Sequence, residues 1–210
     1  MGSWYEERLF PVILDQLIGG ADIMALRKEL LAGVHGDVLE VGIGTGLNLG
    51  CYPDSVARIV GVEPNLGMSP RASQRMQQAR VKVEIFEARG ESMPFPERSF
   101  DAVVSTFTLC SIPDLDAAFE EIRRVMRPEA SLFVLEHGLH PDPDVQRWQS
   151  KLAPINRVVA CGCHLARDIR GLVETAGFRF EEIRELDIGG GVPRPFGHLT
   201  IGRAVARMTD

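Results

Sequence analysis

Val38-Leu39-Glu40-Val41-Gly42-Ile43-Gly44-Thr45-Gly46-Leu47-Asn48 reads as an apolar strand that breaks into three glycines spaced by two. Glycine takes backbone dihedrals closed to other residues and leaves no Cβ between main chain and ligand. A strand that ends in such a loop and then opens a helix aims backbone N–H groups at whatever sits above the sheet edge. The loop is therefore built for a small molecule to lie against it. The competing reading, a plain glycine turn between strand and helix, is disfavoured by the spacing further along the chain.

Around this loop strands and helices alternate. Leu9, Val12, Ile13 and Leu17, then Leu26, Leu30 and Leu31, fall at helical spacing and predict two N-terminal helices within residues 3–33. Strands are expected over 37–42, 58–63, 81–87, 100–106 and 131–136. Helices are expected from Leu66 to Ala79, from Leu115 with Asp114 as N-cap, and over 166–176, the last stopped by Gly177. Residues 178–186 and 199–206 form a closing pair of strands. Alternation of this kind gives a parallel sheet with helices on both faces. Two connections resist the pattern. Residues 141–165 contain Pro, Trp and Cys, and 187–198 are rich in Gly and Pro. Long connections on open α/β sheets are often lids, so both are candidates for substrate contact.

The chain has 210 residues, enough for one domain with a full core. A formal net charge of −6 argues against a nucleic-acid groove, which needs clustered excess Lys and Arg. Arg123, Arg124 and Arg127 do cluster, but beside Glu120 and Glu121 they read as the solvated face of a helix. No apolar run approaches the roughly 18 residues of a membrane helix. Four cysteines (Cys51, Cys110, Cys161, Cys163) make no disulfide scaffold in a chain of this size, so a reducing, cytoplasmic setting is expected.

In open α/β sheets the ligand lies outside the carboxyl ends of the strands. Strand one ends in Gly42, Gly44 and Gly46. Strand two ends in Glu63, 21 residues after Gly42, where a carboxylate can accept both ribose hydroxyl protons. Gly90-Glu91-Ser92-Met93-Pro94-Phe95 follows strand three, and Ser105-Thr106-Phe107 ends strand four. A dinucleotide fingerprint, G-x-G-x-x-G, is broken by Leu47 in the third-glycine slot. Glu40, just before the loop, repels a pyrophosphate and suits an ammonium group. Adenosine with an ammonium and a sulfonium describes S-adenosylmethionine better than NAD.

These stretches, with VEPN after strand two, GESMPFPERSFDAVVSTFTLCSI through strand four, RRVMRP and LEHG, resemble the class I S-adenosylmethionine-dependent methyltransferases over residues 37–137. Arg147-Trp148-Gln149, Gly162-Cys163-His164-Leu165-Ala166-Arg167-Asp168, Ala176-Gly177-Phe178, Arg194, His198 and Gly202 are similar to the thiol-methylating branch and its bacterial relatives. Similarity to quinone- and phospholipid-methylating enzymes is weaker. Two departures stand out: the N-terminal hydrophobic anchor of membrane-bound thiol-branch members is not expected here, and Glu129-Ala130 replaces two glycines.

The resemblance implies a Rossmann-like class I methyltransferase fold with a mostly parallel seven-stranded sheet. One methyltransferase domain then spans 1–210, with N-terminal helices over 1–35, the cofactor core over 36–140, a lid over 141–165 and closing elements over 166–210. It implies that Glu40 and the Gly42–Gly46 backbone, with Thr45 and Asn48 in the same loop, hold the methionine part of S-adenosylmethionine and its product S-adenosylhomocysteine. Glu63 then binds ribose, and Pro64, Asn65 and Met68 flank adenine or ribose. Gly90, Glu91 and Ser92 line the adenine edge, and Ser105 and Thr106 sit near the sulfonium. The acceptor is a small molecule, with a thiol first and a quinone, phenol, lipid or amine as the alternative.

In-line transfer needs mainly alignment of nucleophile, methyl and sulfur. An acceptor that carries a proton needs a base, for which His137 and His164 are the candidates; each also reads as an orienting hydrogen-bonder. Cys161-Gly162-Cys163-His164 lacks the C-x₂-C spacing and second pair of structural zinc, so no metal is expected. Cys110 reads first as a buried small hydrophobe. Trp148 and Phe196 read first as packing residues. Arg167 and Arg194 pair either a substrate carboxylate or the lid itself. An NAD-dependent oxidoreductase and a non-catalytic cofactor-binding module remain as alternatives.

Overall fold

The computed structural model describes residues 4–65, 68–189 and 191–207. A π-helical turn, Tyr5–Leu9, leads into α1 (Phe10–Ile18) and α2 (Ala21–Leu31). Then follow β1 (Gly36–Val41), β2 (Val56–Val62), α3 (Ser69–Met76), β3 (Lys82–Phe86), β4 (Phe100–Thr106), α4 (Leu115–Val125) and β5 (Met126–His137). The chain closes with α5 (Pro143–Val159), α6 (Ile169–Thr175), β6 (Phe178–Asp187), α7 (Arg194–Gly197) and β7 (His198–Ala206).

The seven strands form one sheet in the order β3-β2-β1-β4-β5-β7-β6. β1 to β5 pair in parallel, and β7 runs antiparallel to both neighbours. The class I methyltransferase fold expected from the motifs is therefore present. Alternate strand residues enter opposite cores. Leu39, Val41, Val103 and Leu132 pack against Phe119, Ile122 and Val173 of α4 and α6 on one face. Val38, Ile59, Val104 and Leu135 pack against Ile23, Leu26 and Leu30 of α2 on the other. Burial on both faces is why these strands read as continuous apolar runs. The winding reverses between β1 and β4, so their carboxyl ends open a crevice.

Local signals explain the helices. Asp114 accepts from Ala117 N at 3.1 Å and caps α4, as its sequence predicts. Asp142 caps α5 by accepting from Asp144 N at 2.9 Å, and Pro143 follows in the first turn, where its missing N–H costs nothing. α5 gives most of the 141–165 segment a regular structure that its prolines and cysteines concealed.

Three expectations need correction. The glycine loop opens only a 3₁₀ turn, Leu47–Gly50, and no α-helix. β5 starts at Met126, which pairs with Phe100 before a bulge, so Arg127 lies on a strand. Arg124 is no idle surface charge, since it donates to Phe95 O and Met93 O beside its Glu121 ion pair. The first residues of the helix expected from Leu66 lie outside the described residues. Among the described residues no helix is long and apolar enough to cross a membrane.

Candidate active site

At the β1–β4 crevice Gly42, Gly44 and Gly46 hold φ values of +70°, +54° and +79°. Gly42 N and Ile43 N donate to Val62 O at 2.9 and 3.2 Å, which pins the loop against β2. A Cβ at Gly42 would lie 2.3 Å from Thr108. At Gly44 it would meet only Gly42 O, at 3.9 Å, so open space stands above that residue. Glu63, at the end of β2, accepts from Gly44 N at 3.0 Å and from Asn65 N at 2.9 Å. Burial pushes its carboxyl upward, and those two N–H groups oppose the shift. A nearly buried carboxylate beside a bare, open peptide rim suits an adenosyl ligand with hydroxyls to donate.

Beneath the loop lies a buried polar network. Asn48 Nδ2 donates to Glu40 Oε1 at 2.8 Å and to Thr106 Oγ1 at 3.0 Å. Tyr52 Oη donates to Glu40 Oε2 at 2.8 Å. Arg27 of α2 donates to Asn48 Oδ1 at 2.7 Å and Thr106 Oγ1 at 2.8 Å. Burial drives the Glu40 carboxyl up to about 7, against the hydrogen bonds of Tyr52 and Asn48 and the charge of Arg27. Glu40, Asn48 and Thr106 are thus joined in one network, in which both Glu40 oxygens accept from protein donors.

Ser105 is buried at the same edge, and its hydroxyl donates to Glu136 Oε1 at 2.9 Å. Thr45 donates to Asp15 of α1, which also pairs with Arg71 and Arg75 of α3. Met68 is buried at the start of α3, Asn65 is half-buried and Pro64 exposed. Gly90 is buried, where a Cβ would press on Ile112 and Val41 at 3.1 and 3.2 Å. Glu91 is half-buried and Ser92 exposed on the loop after β3.

Sequence reasoning missed Arg27, Tyr52 and Glu136. Glu136 is fully buried and accepts from Thr108 N at 2.8 Å and Leu109 N at 2.9 Å, which shapes the chain after β4. Arg27 was findable as the charge on an apolar face, between Ile23 and Leu30. His137 is buried with Nε2 3.4 Å from Cys163 Sγ. His164 is half-buried, and its backbone N donates to Cys110 O at 2.8 Å. Arg167 donates to Ile112 O at 2.7 Å and so joins the chain before α6 to the segment after β4, whereas Arg194 pairs with Asp142 at the start of α5. Trp148 is exposed under Lys151, and Phe196 is partly exposed.

A methyltransferase domain family matches residues 39–134. Thiol S-methyltransferase TMT1B of Rattus norvegicus is 32% identical over 96% of this chain and 86% of its own. The human thiol S-methyltransferase TMT1A is 30% identical over 84% and 78%. The ubiquinone/menaquinone C-methyltransferase UbiE of Syntrophotalea carbinolica is 27% identical over 81% and 78%. Among solved structures, a SAM-dependent methyltransferase from Thermotoga maritima superposes with a TM-score of 0.69 at 20% identity, covering 97% of this chain and 98% of that one. The chain belongs to the S-adenosylmethionine-dependent methyltransferases. Its similarity to the thiol S-methyltransferase of Rattus norvegicus covers 96% of the chain and so extends beyond the matched core into α5 and the closing strands.

Proposed function

We propose that the chain binds S-adenosylmethionine across the ends of β1, β2 and β4 and methylates a small alkyl thiol. The observation that carries the cofactor half is the Glu63 carboxylate set against open Gly44. Glu63 takes the ribose hydroxyls in place of, or beside, its present N–H donors. The Gly42–Gly46 backbone and the Glu40–Asn48–Thr106 network hold the methionine end, with Thr45 tying the loop to α1. Met68, Asn65 and Pro64 border adenine on one side, and Gly90, Glu91 and Ser92 on the other; Ser105 fixes the β4 end. When bound, the cofactor supplies an electrophilic methyl carbon on a sulfonium.

The thiol half rests on similarity to relatives named thiol S-methyltransferases and on the sulfur- and imidazole-lined ground after β4 and β5. His137, beside Cys163 Sγ, and His164, next in the chain to Cys163, are the residues to take the proton of a neutral thiol. A thiolate and a sulfonium lose their charges together as the S–C bond forms, so a water-poor pocket favours the step. Radiolabelled methyl transfer across a panel of alkyl thiols, phenols, quinols and amines tests the reading. Thioether formation is expected to dominate. Transfer only to a quinol or an amine would move the protein to the acceptor class of its menaquinone or phosphatidylethanolamine relatives.

A further inference from the structure

Three donors scattered in the sequence converge near the lid. Cys110 follows β4, His137 ends β5 and Cys163 follows α5. The two thiols lie 3.5 Å apart, and Cys163 Sγ is 3.4 Å from His137 Nε2. One donor atom from each residue lies within 4.8 Å of the other two. Zinc holds thiolate sulfur at about 2.3 Å and imidazole nitrogen at about 2.0–2.1 Å in a tetrahedron, which sets donors about 3.5–3.8 Å apart. The distances in the protein already approach those edges.

The backbone maintains this convergence. Cys161 at φ +46° and Gly162 at φ +99° turn the chain after α5. His164 N donates to Cys110 O at 2.8 Å, which fastens the Cys163 segment to the Cys110 segment. Glu136 Oε2 accepts from Cys110 N at 3.4 Å, and Glu136 immediately precedes His137. Cys110 and His137 are buried, whereas Cys163 is only half-buried, so one side of the cluster faces an approach.

We propose that Cys110, His137 and Cys163 bind a zinc ion and leave its fourth position to an alkyl thiol. Two cysteines and a histidine with one open position form a donor set of catalytic zinc. Two thiolates, a neutral imidazole and Zn²⁺ sum to zero charge. A coordinated substrate thiolate leaves one negative charge, which is offset by the guanidinium of Arg167, held by Leu109 O and Ile112 O within electrostatic reach of Cys110 and Cys163. On coordination the thiol's proton leaves to solvent or His164, a sulfur–zinc bond forms and nothing is oxidised. His137 then holds the metal rather than a proton. A disulfide would need the sulfurs near 2.05 Å and would give the histidine no part. The thiol's place rests on the acceptor reading above; the metal site does not.

The test is titration of the full chain, reduced and metal-free, with Co²⁺ under anaerobic conditions. One equivalent is expected to give thiolate-to-cobalt charge-transfer and the intense visible bands of tetrahedral cobalt. C110S and C163S should each lose them, and C161S should keep them. Zinc should displace the cobalt, and ethanethiol should shift the bands. Absence of tetrahedral bands in the folded wild type, their survival in C163S, or their loss in C161S would overturn the metal site. Tetrahedral bands that ethanethiol leaves unmoved would overturn the thiol assignment alone. Failure of methyl transfer with the cobalt spectrum intact would count against the acceptor reading and not the metal.

Discussion

The guanidinium of Arg27 donates to Thr106 Oγ1 at 2.8 Å, joining α2 to the end of β4 across 79 positions of chain. Arg27 is 2% exposed, so this contact ties the N-terminal helices to the crevice floor. Burial drags the guanidinium pKa down, and the charge of Glu40 pushes back. Arg27→Met should strip Asn48 and Thr106 of a charged donor and leave Glu40 without its cation. A loss of about 1.5–3 kcal/mol in stability is expected from the hydrogen bonds to a charged group. Urea unfolding measures it, and an unchanged midpoint would show the network to be idle.

Gly42 and Gly44 separate folding from binding. At Gly42 an added methyl meets Thr108 at 2.3 Å with φ at +70°, so Gly42→Ala should destabilise the fold by about 2–4 kcal/mol through strain and overpacking. At Gly44 the methyl enters open space at φ +54°. Gly44→Ala should cost only about 1–2 kcal/mol in stability while weakening S-adenosylmethionine binding at least tenfold. Thermal melts and calorimetry on both variants check the pair; equal affinity in Gly44→Ala and wild type would remove the cofactor from this loop.

Glu136 shapes the segment after β4 through its own carboxylate. Glu136→Ala strands Ser105 Oγ, Thr108 N and Leu109 N, each costing about 1–3 kcal/mol where water cannot replace the acceptor. Glu136→Gln keeps one oxygen for those three donors and should lose much less. Chemical denaturation that ranks the two variants the other way would contradict this role.

Glu40 predicts a pH dependence. Its carboxyl sits at about 7 in the fold against an ordinary 4.5. Between those values the unfolded chain gives up the proton while the buried group keeps it, so this residue lowers stability as pH rises through the window. Below about 4.5 the penalty vanishes, and above about 7 it is constant, on the order of 3 kcal/mol. Subtracting the pH–stability profile of Glu40→Gln from that of wild type should expose this slope. Parallel profiles would mean that Glu40 titrates normally.

Much of this architecture was legible because its signals are local. The glycine spacing, the Asp114 cap, the Gly177 stop and the apolar runs of β1 and β4 act over a few residues, and each falls where the sequence places it. Glu63 was legible because its distance from the loop is set by one strand–turn–strand unit. α5 was concealed because Pro143 and Pro154 read as breakers, although the first sits in a helix's opening turn. The start of β5 was missed because Pro128-Glu129-Ala130 look like a turn and pair only through a bulge. The contacts of Arg27 with Thr106 and of Cys110 with Cys163 depend on tertiary closure, which no local pattern encodes.

Isothermal calorimetry of the full chain with S-adenosylmethionine, S-adenosylhomocysteine and NAD addresses the central claim most directly. Saturable binding of both adenosyl compounds, weakened about 1–3 kcal/mol by Glu63→Ala through loss of charge-assisted hydrogen bonds, is the predicted result. A folded protein that takes up NAD in preference, or that gives no heat with S-adenosylmethionine, would contradict it.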